Sequence, residues 1–270
     1  MTAAAARFAA ALDLHEQGRL AEAEPLYREA ASAGHAESAL NLAVLCLQTG
    51  RATEALDWAG QAQAANRGSA PAQSTLATAL HACGQPEQAV EAYDQALELD
   101  PGHVEAQYGL ACALQALGRI EEALACYRRA LVIDPDYIEA ELGLADLLAS
   151  LGRYEDAVAA FRRALEMAPD HHEPRLGLGR ALQGAGRPEE AEAEYRTLLA
   201  ACPGHRQGIA GLASVLAASG RQDEALALHA EALARDPDDS EGHRNHGLIL
   251  AKLGRIEVAA QSLQRSIHLA

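Results

Sequence analysis

A glycine followed by Arg or Gln recurs at positions 18, 50, 84, 118, 152, 186, 220 and 254, and from Gly50 onward each step is 34 residues. A strict period of that length constrains the fold more than any other feature of the chain. One such segment cannot bury a core alone, so successive copies must stack and share their apolar faces. Around each anchor the same frame returns: Leu and a small residue before it, Ala five residues after, an aromatic or Leu in many copies nine after, and often Pro seventeen after. The fourth copy, VEAQYGLACALQALGRIEEALACYRRALVIDPD, carries it as Leu110, Ala111, Leu114, Gly118, Ala123, Tyr127, Ala130 and Pro135.

Each part of the frame has a mechanical reason. Leu110, Leu114 and Leu117 recur at helical spacing and make one apolar stripe, while Ala111 and Ala123 let two helices approach closely. Gly118 ends the first helix in a left-handed conformation. The second helix is expected to run to about Ile133, where Asp134 and Pro135 close it. One repeat is thus one antiparallel helix pair. The copies fall at about 4–35, 36–69, 70–103, 104–137, 138–171, 172–205, 206–239 and 240–270, and together they predict a single all-α array over 1–270.

Composition agrees with thin layers: 4% of the residues are aromatic, too few rings for a globular centre at this length. The formal charge of −16 and the lack of any basic run argue against nucleic acid and against an anionic membrane surface. Acidic pairs such as Glu121 and Glu122, or Glu189 and Glu190, would open helices where the dipole favours them, with Arg128, Arg129, Arg162 and Arg163 further along. The five cysteines contain no Cys-x-x-Cys pair and read as small residues in a reducing compartment. Arg7, Asp13 and Glu16 interrupt the Ala-rich start, so no signal peptide or membrane span is expected and a cytoplasmic location follows.

The frame resembles the tetratricopeptide repeat of bacterial and other multidomain proteins, in eight copies covering nearly the whole chain. The resemblance implies a right-handed α-solenoid, a superhelix of antiparallel helix pairs with the first helix of each pair on the concave side. The early copies depart from it. The first is two residues short and ends without Pro, and Pro71 starts a helix instead of closing one. His229 and Leu263 stand where Tyr93, Tyr127, Phe161 and Tyr195 stand in the middle copies.

Carried over residue by residue, the resemblance implies a groove for a protein or peptide lined by Ser74, Thr78, His81, Tyr108, Cys112, Gln115, Leu142, Asp146, Leu176, Arg180, Gln183, Ala210 and Ser214. The basic and Asn set with which some members hold acidic C-termini is missing. Gly109, Gly143, Gly177 and Gly211 share one position in four successive first helices, at a cost of about 1 kcal/mol each relative to Ala. Two readings are open for them: a smooth channel along the inner wall, or tighter packing between helices. Asn41 and Asn245 occupy that position in copies two and eight, where a family parallel would use Asn against peptide backbone.

No nucleophile with its base, phosphate loop or carboxylate pair is present in the pattern, so no catalysis and no cofactor are expected. His35, His103, His171 and His205 fall at repeat junctions, too far apart to share a metal, and read as turn residues. His243 and His246 share a helical face with no further ligand in view, so no metal is expected. The leading function is an interaction scaffold or adaptor. Two others compete with it: a recognition arm of a larger glycosyltransferase or sulfotransferase, and self-assembly through Leu263, Ile267 and Leu269 at the last helix, giving a homo-oligomer.

Overall fold

The computed structural model describes residues 2–270, and among them the only regular structure is sixteen α-helices. Two compact units divide the chain at Ala140 and Glu141. The first holds α1 (Ala3–Glu16), α2 (Leu20–Ser32), α3 (Ala36–Gln48), α4 (Ala52–Ala65), α5 (Ala70–Ala82), α6 (Pro86–Leu99), α7 (Val104–Ala116) and α8 (Ile120–Ile133). The boundary falls inside α9 (Ile138–Ser150). The second unit continues with α10 (Tyr154–Met167), α11 (His172–Gly184), α12 (Pro188–Ala201), α13 (Arg206–Ala218), α14 (Gln222–Arg235), α15 (Ser240–Lys252) and α16 (Ile256–Leu269).

All eight anchor glycines have φ between 72 and 80°. That left-handed turn closes each odd-numbered helix: Arg119 N–H donates to the Leu114 carbonyl at 2.9 Å, reaching back over Gly118. The residue after the glycine then opens the second helix. α8 ends at Ile133 with Asp134 in extended backbone, and Pro71 sits in the first turn of α5, both as the sequence predicts.

The arginine of the anchor has a use that periodicity did not reveal. No second helix has a side-chain cap at its start, and in six copies the Arg there instead grips an acid three residues on, as Arg119 does Glu122 at 2.6 Å and Arg153 does Asp156 at 2.6 Å. In several copies it also reaches the preceding repeat. Arg51 bonds Glu24 at 2.8 Å and Arg221 bonds Glu192 at 2.8 Å, so one guanidinium ties two hairpins together. Arg51 and Arg28 hold the Glu24 carboxyl down at about 2, against the opposing effect of desolvation.

The core is built of small residues. The Ala five positions after each anchor is fully sealed in seven copies, Ala23 through Ala225, and 3% exposed in the eighth, Ala259. Ala11, Ala43, Ala77, Ala111 and Ala145 on the facing helices are equally sealed. A methyl on each side lets the pair close to the short interaxial distance that leaves no room for larger groups. Leu110 and Leu114 of the predicted stripe are buried and Leu117 half-buried.

Within each unit the first helices of successive repeats also touch one another. α3 meets α5 and α5 meets α7 in the first unit; α11 meets α13 and α13 meets α15 in the second. Among the described residues, second helices of successive repeats within a unit make no comparable contact. The odd-numbered helices therefore form the crowded inner layer of each unit and the even-numbered ones its outer layer.

Candidate functional site

Inner-layer side chains that reach solvent are the ones a partner can touch. In the first unit these include Thr78 and Gln115, which are exposed, and His81, Tyr108 and Cys112, which are half-buried. Tyr108 stacks obliquely on Tyr127, ring centroids 6.0 Å apart, and edge-on against Tyr137 at 5.7 Å. Burial first, and the nearby Cys112 next, raise the Tyr108 phenol well above its ordinary value.

The second unit presents Asp146, Arg180 and Ser214 as exposed and Leu142, Gln183 and Ala210 as half-buried. Enough protein surrounds Asp146 that desolvation raises its carboxyl, Glu173 adding to the effect and Arg180 opposing it. The inner surface carries both signs of charge and no concentrated cationic set.

Two positions are corrected. Ser74 and Leu176 are only 5% and 6% exposed, so neither offers surface to a guest. They share a repeat position with Tyr108, whose long side chain climbs out of the packed layer where a serine hydroxyl stays beneath it.

The inner layer is wired from behind by tyrosines of the second helices. Tyr127 donates to Gln115 Oε1 at 3.1 Å and Tyr195 to Gln183 Oε1 at 2.6 Å, while the Tyr93 hydroxyl pairs with Thr78 Oγ1 at 2.9 Å. Burial pushes the phenols of Tyr93 and Tyr195 up to about 12, so they stay neutral and available as hydrogen-bond donors. Three groove candidates, Thr78, Gln115 and Gln183, are thus oriented by a buried ring. Sequence reading missed this link, although the joint recurrence of Tyr and Gln twelve residues apart was its signal.

The same rings explain the repeated glycines. A Cβ on Gly211 would stand 2.5 Å from Cζ of Tyr195, and one on Gly179 would stand 2.6 Å from Cε1 of the same ring. Cβ atoms on Gly109 and Gly177 would likewise overlap the rings of Tyr93 and Phe161. Each ring lies across the backbone of the next first helix, so at these three positions the space beside the glycine is taken by the protein itself. Tighter packing, not a channel, is the physical account of Gly109, Gly177 and Gly211.

The junction histidines all stand at helix N-cap positions, and two of them cap with the side chain. His35 and His205 accept through Nδ1 from the backbone N–H of Ser38 at 3.3 Å and of Gly208 at 3.1 Å, and His103 and His171 occupy the same cap position. His243 and His246 go to separate partners, the Pro237 carbonyl at 2.9 Å and Ser262 Oγ at 3.1 Å. All five cysteines are free. No described helix is long and apolar enough to cross a membrane.

The last hairpin shows more apolar surface than foreseen. Ile267 is 77% exposed, and Ile256, Val258 and Leu248 are also exposed. Leu263 is turned the other way: it packs on Gly247 of its own hairpin, as the tyrosines pack on their glycines, and with Leu269 is only half exposed.

Sequence profiles of the tetratricopeptide repeat match residues 75–138, 142–206 and 211–270 in one form, and 14–80 and 118–161 in another. No curated protein matches the chain. A tetratricopeptide repeat protein from Parabacteroides merdae is similar over 98% of both chains, at 17% identity and a TM-score of 0.62. YrrB, described as having an unusual peptide-binding site, is 24% identical over 67% of this chain and 93% of its own, with a TM-score of 0.53. TTC0263 of Thermus thermophilus is 25% identical over 68% of this chain and all of its own, with a TM-score of 0.51.

Proposed function

The chain belongs to the tetratricopeptide-repeat family, an all-α class of interaction modules, and from that premise we propose that the inner layer of each unit offers a face for a peptide or helix of a partner protein. The carrying observation is the set of inner-face side chains fixed by buried tyrosines: Thr78 on Tyr93, Gln115 on Tyr127, Gln183 on Tyr195. Groups oriented in advance lose less freedom on binding, and polar groups so held give an extended guest defined partners. The peptide-binding site described for YrrB is in keeping with this reading. The mixed charge of the surface suits a guest read by hydrogen bonds and apolar contacts more than by net charge.

To test it, Tyr108, Arg180 and Gln183 are replaced by Ala and capture of lysate proteins is compared with the parent chain, with the helical circular dichroism signal as control. Loss of specific captured bands in an intact fold supports the reading; identical capture by all variants removes it. A second reading, self-association through the last hairpin, draws on the exposed Ile256, Val258 and Ile267. Sedimentation across concentrations, repeated on Ile267→Glu, separates the two.

A further inference from the structure

Repeat seven breaks the tyrosine wiring, and the break leaves a cleft. At the position of Tyr195 stands His229, and at the position of its partner Gln183 stands Ala217. Ala213 replaces Gly179 and Asn245 replaces Gly211. The smaller ring and the missing amide open a cavity of roughly 450 Å³ between α13 and α15. Its walls include Ala213, Ala217, Leu248 and Ile249, and His229 closes its floor. That imidazole is 2% exposed, yet its Nδ1 has no hydrogen-bond partner. Desolvation above all, with His246 adding and Asp239 opposing, brings its pKa down to about 4, so at neutral pH the ring is uncharged and one nitrogen can accept. A buried nitrogen left without a partner is unfavourable, so a ligand hydroxyl that engages it, once the ring turns that edge to the cleft, gains by it.

The chain shows what belongs in such a space, because repeats three, four and six fill theirs with a phenol hydrogen-bonded to the first helix. Lys252, the only lysine in the sequence, stands on the rim of the cleft. It makes none of the ion pairs that occupy most of the arginines. We propose that the cleft between α13 and α15 takes a tyrosine side chain of the bound peptide, its hydroxyl donating to His229, with an acidic neighbour in the peptide meeting Lys252. The proposal rests on the inner-face reading above and names the residue that face selects. The guest ring would lie on the methyl groups of Ala213 and Ala217, and Asn245 would flank it.

The test begins with p-cresol, the bare side chain of tyrosine, titrated against the full chain by amide NMR beside toluene. Shifts centred on Ala213, Ala217 and Ile249 are expected, with p-cresol bound about 2- to 10-fold more tightly than toluene, the worth of one neutral hydrogen bond. Equal affinities, or shifts centred elsewhere, overturn the proposal. The variant Ala217→Gln, His229→Tyr, Asn245→Gly, with Ala213 kept, rebuilds the internal tyrosine of repeat four, where Ala111, Gln115, Tyr127 and Gly143 hold these positions; it is expected to melt higher and to lose p-cresol binding. Where the triple variant fails to fold, Ala217→Gln alone narrows the cleft and is expected to weaken p-cresol binding; undiminished binding in either folded variant overturns the proposal. An acetylated, amidated Gly-Glu-Tyr-Glu-Gly peptide should displace p-cresol and weaken about 2- to 5-fold in Lys252→Ala. Failure to displace refutes the peptide assignment. A silent cleft with partner capture intact sinks this inference alone, whereas capture insensitive to the inner-face variants sinks the reading beneath it.

Discussion

Replacing Gly177 by Ala tests the ring-on-glycine packing directly. In an open helix position this change stabilises by about 1 kcal/mol, because Gly is the poorer helix former. Here the added methyl would enter the ring of Phe161, which is itself 2% exposed and has little space to retreat. Ordinary carbon contacts sit near ~3.5 Å, so ring or helix must shift, at a typical overpacking cost of about 1–3 kcal/mol. The net expectation is a loss of about 0–2 kcal/mol in the parent chain. In a Phe161→Ala background, itself costing about 3–5 kcal/mol, the obstacle is gone and Gly177→Ala should stabilise by the propensity gain of about 1 kcal/mol. The double-mutant cycle should therefore show a coupling of about 1–3 kcal/mol. Repeat arrays need not unfold in one step, so the readout is hydrogen exchange of the α10 and α11 amides together with the thermal melt. A Gly177→Ala variant that stabilises the parent and the Phe161→Ala chain equally would refute the packing account.

Ala123 is sealed between two helices, so Ala123→Leu should cost about 1–3 kcal/mol, while Ala116→Leu on an exposed position should stay within about 0.5 kcal/mol; thermal melts compare them. Arg163→Ala should cost about 1–3 kcal/mol by leaving the buried Glu141 carboxylate without its guanidinium, and adding Glu141→Gln should restore part of it in the same melt. The Glu24 carboxyl lies below its ordinary value of 4.5, at about 2, so its pairing contributes stability above pH 4.5 that is lost as pH falls toward 2. Melting temperature should drop over that window, and Glu24→Gln should flatten the drop.

The helix frame was legible because its signals are local. Gly118 must turn left-handed, Pro135 bars continuation of α8, and Pro71 fits a first turn, whatever the rest of the chain does. The inner face was legible only in part. Repeat position says which way a side chain starts, but whether it emerges depends on its length and on the closeness of the next helix, which is why Tyr108 reaches solvent and Ser74 does not. The glycines left two readings open for a related reason: a residue without a side chain announces that space is needed, not what fills it. The cleft in repeat seven was not legible at single positions: His229 stood out as a departure from Tyr, but only together with Ala217 in place of Gln does it open a cavity.

Because the chain holds a single ε-amine and places it beside that cavity, chemistry can address the spot without engineering. An amine-selective reagent carrying a photoreactive arm would stitch a guest at Lys252, the α-amine being the one other amine it meets, and digestion would return a branched fragment carrying the partner's own sequence. The scarcity of lysine thus makes the molecule a ready reporter of whatever docks there.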